Sequence, residues 1–448
     1  MSSWLCTPLI SIKSALKSRC KRKHALKVRE TRFDDSSASS IDEKNTEDDD
    51  EDDHDIHQLH PAVADFKKFI ESRPRLHMHF RQMWQETLKP DVEGHVNVRD
   101  YDHMLELLSR YIQQPPPWSP ASWKMGSSGL PFNDMFYYAV LTPSGYAAFT
   151  DAEVARQVKK LLMVWYHYLR SEKSRVGLET WLSKENGCLG ELVKSANEAV
   201  GTNLKFEDMF ECDGEKELYG FASWDAFFIR RFKEGMRPVC QEKDAIVNAC
   251  ESMPLSLVRG VKLQDEFWMK GSVYSLVDMF DDRSLAMEFE GGTVYQGFLS
   301  QYSYHRWHAP VQGVVKHCYR IDGTYFAVPR FAEEYCLVET GHLEVERCMA
   351  SMSCLSSRAV IVIEADDPAI GTVAFIAVGL HEVSTTELTI KQGQRVKSGQ
   401  EMGMFHYGGS THCLVFQKDV VVDDFPMDTK VNVPVNGPLA RIKSSSVA

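Results

Sequence analysis

The hydrophobic pattern changes period once, near residue 240, and that change limits the chain to a fold in which a helical part is followed by a β part. Before it, apolar residues recur at helical spacing. Val63, Phe66, Phe69 and Ile70 share one face, the pattern resumes from Tyr101 to Tyr111, and Val154, Val158, Leu161, Leu162, Trp165 and Leu169 form one stripe. Trp165 belongs to that stripe and is read as core. Pro115, Pro116 and Pro117 break the first stretch, and Thr150 with Glu153 fits a capping box that predicts a helix start at Thr150. A further short amphipathic helix is expected from about Leu189 to Val200. Beyond residue 240 come short Val-, Ile-, Tyr- and Phe-rich runs divided by Gly, as in Gly313 to Val328, Val360 to Glu364 and Thr372 to Val378. Between Leu388 and Phe405 the turn signals Gln392-Gly393 and Ser398-Gly399 predict tight hairpins leading to Tyr407-Gly408-Gly409-Ser410. The fold class expected is therefore α+β.

At 448 residues and 43% hydrophobic, the chain has enough material for two or three structural units. The first of these stretches is not one of them. Asp34 to Asp55 is rich in Ser, Asp and Glu and has Ile41 as its only large aliphatic residue, too little apolar surface to offset the entropy of ordering. Residues 1 to 29 contain no acid and carry Lys13, Lys17, Arg19, Lys21, Arg22, Lys23, Lys27 and Arg29. Residues 1–58 are thus expected to be a disordered tail, basic and then acidic, with a mitochondrial presequence as the second reading of the basic part and a cytoplasmic location as the first. Much of the net charge of -12 sits in the run Glu47 to Asp55, so it implies no nucleic-acid partner. No stretch reaches the roughly 18 to 20 apolar residues of a membrane span. The eleven cysteines form no C-x-x-C pair, which fits a reducing compartment. His54, His57 and His60 recur every third residue, but they begin in the acidic run, and no metal site is expected from them.

Three segments carry chemistry: Y-H-R-W-H-A-P at Tyr304 to Pro310, G-M-F-H-Y-G-G-S-T at Gly403 to Thr411, and F-F-I-R-R-F-K-E-G-M-R-P at Phe227 to Pro238. A serine hydroxyl attacks poorly near neutral pH unless a base takes its proton and a third group orients that base. Either His305 or His308 is a candidate base for Ser410. Two glycines before Ser410 permit backbone conformations that can bring the hydroxyl onto its own preceding carbonyl. On a regular strand residues three apart face opposite sides, so the two histidines are expected to have different roles rather than to share a metal. Arg230, Arg231, Lys233 and Arg237 read first as a basic surface face and second as a carboxylate or phosphate site. Trp307, Phe405 and Tyr407 flank the proposed chemistry and are candidates for the wall of an aromatic pocket, with core packing as the alternative.

The combination of Y-H-R-W-H-A-P with a late G-G-S-T resembles the phosphatidylserine decarboxylase superfamily, over roughly residues 216–448 and including Y-G-F-x-S-W-D-x-F-F-x-R-R-F at Tyr219 to Phe232. A-C-E-S at Ala249 to Ser252, G-M-F-H-Y-G-G-S, and G-Y-A-A-F-T at Gly145 to Thr150 are similar to its fungal L-tryptophan decarboxylases of psilocybin biosynthesis. The resemblance implies a helical accessory domain over 59–215 and a β-rich catalytic domain over 216–448. It implies that the chain cuts itself between Gly409 and Ser410, leaving a covalent pyruvoyl group made from Ser410 on a small subunit of residues 410–448. His308 matches the histidine that serves the cleaving serine, His305 the one assigned to decarboxylation, and Glu251 stands where the family has an orienting aspartate. The pyruvoyl carbonyl takes up the substrate amine and acts as the electron sink, so no pyridoxal phosphate is needed. An aromatic L-amino acid, tryptophan first, is the expected substrate. Phosphatidylserine is the alternative, a catalytically dead scaffold the third reading, and whether the protein forms a homodimer is left open.

Overall fold

The computed structural model describes residues 58–443 apart from 88–95, 121–128, 186, 267–272, 330–342, 383, 408–409 and 428–429, and of 343–347 the backbone alone. Of the tail expected over residues 1–58, residues 1–57, with His54 and His57, lie outside the described residues, as does Gly409.

The N-terminal half is helical. Its main elements are α1 (Pro61–Glu71), α2 (Pro74–Glu86), α3 (Tyr101–Tyr111), α4 (Pro131–Phe136), α5 (Pro143–Phe149), α6 (Ala152–Leu169) and α7 (Leu189–Glu198). Prolines open α1, α2, α4 and α5, where their missing N–H removes no helical hydrogen bond. His60 caps α1, its Nδ1 accepting from the Ala62 N–H at 3.2 Å. The predicted start of α6 is corrected by one residue. Asp151 is the N-cap and accepts from the Glu153 and Val154 N–H groups, while Thr150 closes α5 by donating to the Tyr146 carbonyl. A carboxylate one residue on competes better for the open N–H groups than a hydroxyl does.

A short helix, α8 (Trp224–Phe228), leads into the β half. Its strands are β1 (Ala245–Val247), β2 (Met253–Arg259), β3 (Thr293–Leu299), β4 (Arg306–His308), β5 (Gly313–Ile321), β6 (Arg358–Ala365), β7 (Thr372–Gly379), β8 (Thr385–Leu388), β9 (Arg395–Val396), β10 (Glu401–His406), β11 (Ser410–Phe416), β12 (Val422–Asp423) and β13 (Pro438–Ile442). Helices α9 (Leu276–Phe280), α10 (Arg283–Met287) and α11 (Leu343–Leu355) interrupt them. The paired strands run antiparallel, in a seven-stranded sheet of order β2-β3-β11-β7-β6-β5-β9 and two three-stranded sheets, β4-β10-β8 and β1-β13-β12. In β11 every residue is buried, as a strand covered on both faces requires. Leu414 and Phe416 join Trp307, Phe375 and Phe405 in the core shared with the small sheets, whereas Cys413 and Val415 pack with Leu276, Met279 and Phe280 beneath α9.

The core of the helical half does not stop at residue 215. It continues into Trp224, Phe227, Phe228, Tyr304, Phe326 and Tyr407, and an isolated bridge pairs Phe210 with Phe232 across that boundary. The helical half therefore walls the end of β10. No helix of the described residues is long and apolar enough to cross a membrane.

Candidate active site

Ser410 begins β11, an interior strand of the seven-stranded sheet, where it stands opposite Leu299 of β3 and Gly379 of β7. It is fully buried, and its Oγ has no hydrogen-bond partner among the described residues. A buried hydroxyl without a partner carries a desolvation cost that a function can explain. One face of the sheet puts Ser410 and His412 together, and the other puts Thr411 in a polar chain where Gln296 Nε2 donates to the hydroxyls of Ser353 and Thr411. Thr411 in turn donates to the Gly297 carbonyl at 2.9 Å, which fixes the strand immediately after Ser410.

β4, which pairs with β10, carries His308 opposite the start of β10, and His305 stands just before it. Arg306 is opposite Met404, Trp307 opposite Gly403 and His308 opposite Glu401, while the Phe405 N–H donates to the His305 carbonyl at 2.9 Å. His305 is fully buried, stacked on Phe228 with ring centroids 4.1 Å apart. Its Nδ1 lies 2.9 Å from the Ser303 carbonyl, which can only accept, so Nδ1 carries the proton and Nε2 is the basic nitrogen. His308 has the same tautomer. Its Nδ1 donates to the Gly399 carbonyl at 2.8 Å, and its Nε2 accepts from the Tyr304 hydroxyl at 3.1 Å. Burial lowers its pKa below the ordinary imidazole value, with the Gly399 bond acting in the other direction, so His308 is a neutral base at neutral pH.

Glu251 does not orient His308. Its carboxylate accepts from Arg237 Nε at 2.8 Å and from the Val435 N–H at 2.9 Å, and its other oxygen is held by Arg237 as well. A buried guanidinium saturates the carboxylate in a bidentate pair, and the imidazole is left to Gly399 and Tyr304. The surface reading of the basic segment is corrected at two of its four positions. Arg237 and Arg230 are buried, and Arg230 donates to the Tyr302 carbonyl at 2.7 Å while lying over Phe210 and Phe227. Burial pulls Arg230 down to about 10. Arg231 and Lys233 are exposed, and Arg231 pairs with Glu401.

The three aromatic candidates divide between two cores. Trp307 packs on Phe405 at 4.8 Å and Phe375 at 5.6 Å inside the sandwich. Tyr407 instead enters the aromatic cluster of the helical half, 4.2 Å from Trp224, 5.2 Å from Trp165 and 5.3 Å from Phe228 by ring centroids.

Sequence reasoning missed two groups here. His406 is held between carboxylates, its Nδ1 2.9 Å from Asp225 and its Nε2 3.1 Å from Glu387, which ties α8 and β8 to the end of β10. Both residues stand inside quoted motifs, S-W-D and F-H-Y, but nothing in the order of residues reveals their pairing. Glu382 is also buried, and burial pushes its carboxyl up to about 8. Beside the loop that carries it, a cleft of about 940 Å³ is lined by Ser357, Ser384, Tyr325, Lys159 and Arg320. Ser384 abuts Gly379, where an added Cβ would meet its Cα at 2.5 Å, so the cleft ends one strand away from Ser410.

Two family profiles described as phosphatidylserine decarboxylase match this chain, one over residues 224–437 and one over 60–191. The decarboxylase iboD of Amanita muscaria is 38% identical, covering 75% of this chain and 99% of that protein. The L-tryptophan decarboxylase of Psilocybe cubensis is 30% identical, covering 86% of this chain and 87% of that protein. The phosphatidylserine decarboxylase proenzyme of Fusobacterium nucleatum subsp. nucleatum is also 30% identical, but over 47% of this chain and 65% of that protein.

Proposed function

The chain belongs to the phosphatidylserine decarboxylase family and is a carboxy-lyase, and from that premise we propose that it cuts itself at Gly409-Ser410 and then decarboxylates an aromatic L-amino acid, tryptophan first. The observation that carries the self-cleavage is the buried Ser410 Oγ, without a hydrogen-bond partner among the described residues, at the head of the interior strand β11. In the cut, Oγ adds to the Gly409 carbonyl carbon and the amide C–N bond breaks, leaving an ester and a free Ser410 amine. Loss of the Ser410 α-proton then expels the Gly409 carboxylate, and water replaces ammonia at the α-carbon to leave a ketone. His308, neutral and oriented by Gly399 and Tyr304, takes the hydroxyl proton. The pyruvoyl carbonyl so formed supplies the electron sink for loss of carbon dioxide. His305, whose carbonyl is tied to Phe405 on the segment leading to Ser410, takes a proton from the substrate ammonium on Nε2 and, after carbon dioxide leaves, returns it to the substrate α-carbon.

The fit of the site to the group rests on the unsatisfied Oγ and on the burial that keeps water from it. For the substrate, the alignment favours an amino acid over a phospholipid. The Psilocybe cubensis relative aligns over 86% of this chain, helical half included, whereas the Fusobacterium proenzyme aligns over 47%. The aromatic cluster that the helical half builds around Tyr407 suits a flat apolar side chain.

The test combines intact mass with carbon dioxide release. The wild-type chain is expected to split into residues 1–409 and 410–448, the smaller piece beginning with a carbonyl, and Ser410→Ala to stay whole and inactive. His308→Ala should slow splitting, whereas His305→Ala should split and turn over poorly. Tryptamine formation with little turnover of phosphatidylserine in detergent micelles supports the substrate. Brisk phosphatidylethanolamine formation with no arylalkylamine overturns it and leaves the self-cleavage standing.

A further inference from the structure

Two buried polar atoms near Ser410 have no part in the chemistry above and no hydrogen-bond partner among the described residues: Oε2 of Glu382 and the hydroxyl of Tyr407. They converge on one turn. Glu382 Oε1 accepts from the N–H groups of Phe132 at 3.1 Å and Asn133 at 3.3 Å. The Tyr407 hydroxyl occupies the space a side chain at Gly129 would need, 2.3 Å from an ideal Cβ there. Gly129 has a φ of +79°, so glycine is suited to the backbone as well as to the space.

Both residues are bound to the position of Ser410. The loop carrying Glu382 leaves β7 at Gly379, the strand partner of Ser410, and Tyr407 comes three residues before Ser410 in the chain. The circuit closes through aromatic contacts, with Phe132 4.8 Å from Trp165 and Trp165 5.2 Å from Tyr407. An aromatic enclosure in the segment leading to the reacting residue thus ends in a carboxyl oxygen and a phenol that no described residue satisfies. Holding the start of α4 accounts for Oε1 and leaves Oε2 and Tyr407 unexplained. Leaving both unpaired costs more than apolar residues of the same shape would, which points to a partner supplied from outside.

We propose that Glu382 and Tyr407 are a specificity-determining pair that takes the polar edge of an aromatic substrate, a ring N–H donating into a chain from the Tyr407 oxygen to Glu382 Oε2. The pair rests on the aromatic amino-acid reading above and narrows it to rings that carry a hydrogen-bond donor, as an indole does. A site built to bond such a donor rejects an analogue that lacks it more strongly than a purely apolar pocket would.

The matured wild-type protein would be given tryptophan and its sulfur isostere benzothienylalanine, which has the same shape and no ring N–H, and the Glu382→Gln protein would be given the same two. Wild-type kcat/KM is expected to favour tryptophan by about tenfold or more, and Glu382→Gln, whose amide nitrogen can only donate to the Tyr407 oxygen and so competes with the ring N–H for it, to bring the two within about twofold. Equal wild-type turnover of the two overturns the pair while the aromatic reading stands, and that arm requires no variant to fold. An equal loss on both substrates in Glu382→Gln, with splitting intact, also overturns it. If the split wild-type protein makes an arylalkylamine from neither, the aromatic reading fails and the pair fails with it.

Discussion

Among single residues, Arg237 and Glu251 show how a side chain's role is decided by its neighbours. Both side chains are less than 5% exposed, and their pairing also draws in the Ala196 carbonyl and the Val435 N–H. Removing one member strands a buried charge, so Arg237→Ala is expected to cost about 3–5 kcal/mol, read as a fall in Tm. Glu251→Gln should lower Tm too, while the protein that folds still splits at Ser410. Slow splitting with an unchanged Tm would return Glu251 to the imidazole. The serine and both histidines were readable as candidates from their motifs, because each motif keeps its residues within a few positions. The partner of Glu251 was not, because it stands in the matching stretch yet an arginine 14 residues before it takes its charge.

At the level of elements, three pieces meet at the end of β10: α8 through Asp225, β8 through Glu387 and β10 through His406. The link stands one residue before Tyr407 and four before Ser410, so it positions the segment that leads to the proposed cut. Asp225 is buried and Glu387 half exposed, with 4% and 49% side-chain exposure, and an exposed carboxylate shares its charge with solvent. Asp225→Asn should therefore slow splitting several-fold, and Glu387→Gln should slow it less. Timed samples resolved by intact mass would check this, and the reverse order would show that the β8 side of the clamp governs the cut. Helix patterning in α6 was readable because its period repeats within a dozen residues. The turns at Gly393 and Gly399 were readable too, but the tight hairpins expected around them do not form, because β8 pairs with β10 and β9 with β5 in another sheet. That α8 belongs to the core of the helical half was not readable, since it depends on which faces meet across 181 residues of chain.

Across the whole molecule, buried titratable groups give stability a definite pH dependence. His412 and His381 are held down to about 3 and about 4 by burial, from 6.5. Below 6.5 the unfolded chain takes up protons that the folded one refuses, so stability falls with pH until the folded values are reached. Glu382 has the opposite sign. Its carboxyl is raised from 4.5 to about 8, so its contribution is complete below 4.5 and is lost as pH rises to about 8. Stability should climb to a maximum near about pH 6 to 6.5 and then decline. His412→Phe is the diagnostic variant, because both ring nitrogens of His412 lack partners among the described residues and its ring lies between Tyr295 and Phe375. Its Tm measured from about pH 4 to 8 should show a shallower acid limb, and an acid limb as steep as wild type would exclude His412 as its source. By itself the sequence determined the order of a helical half and a β half and marked the serine and the histidine pair as candidates, since periodicity and motif spacing are local properties of a chain. Tertiary structure alone decided that Glu251 serves Arg237, that His406 bridges Asp225 and Glu387, and that Glu382 and Tyr407 reach one turn. Strand register and core contacts between distant residues create those neighbourhoods, and burial then sets the charge and the partners of each group within them.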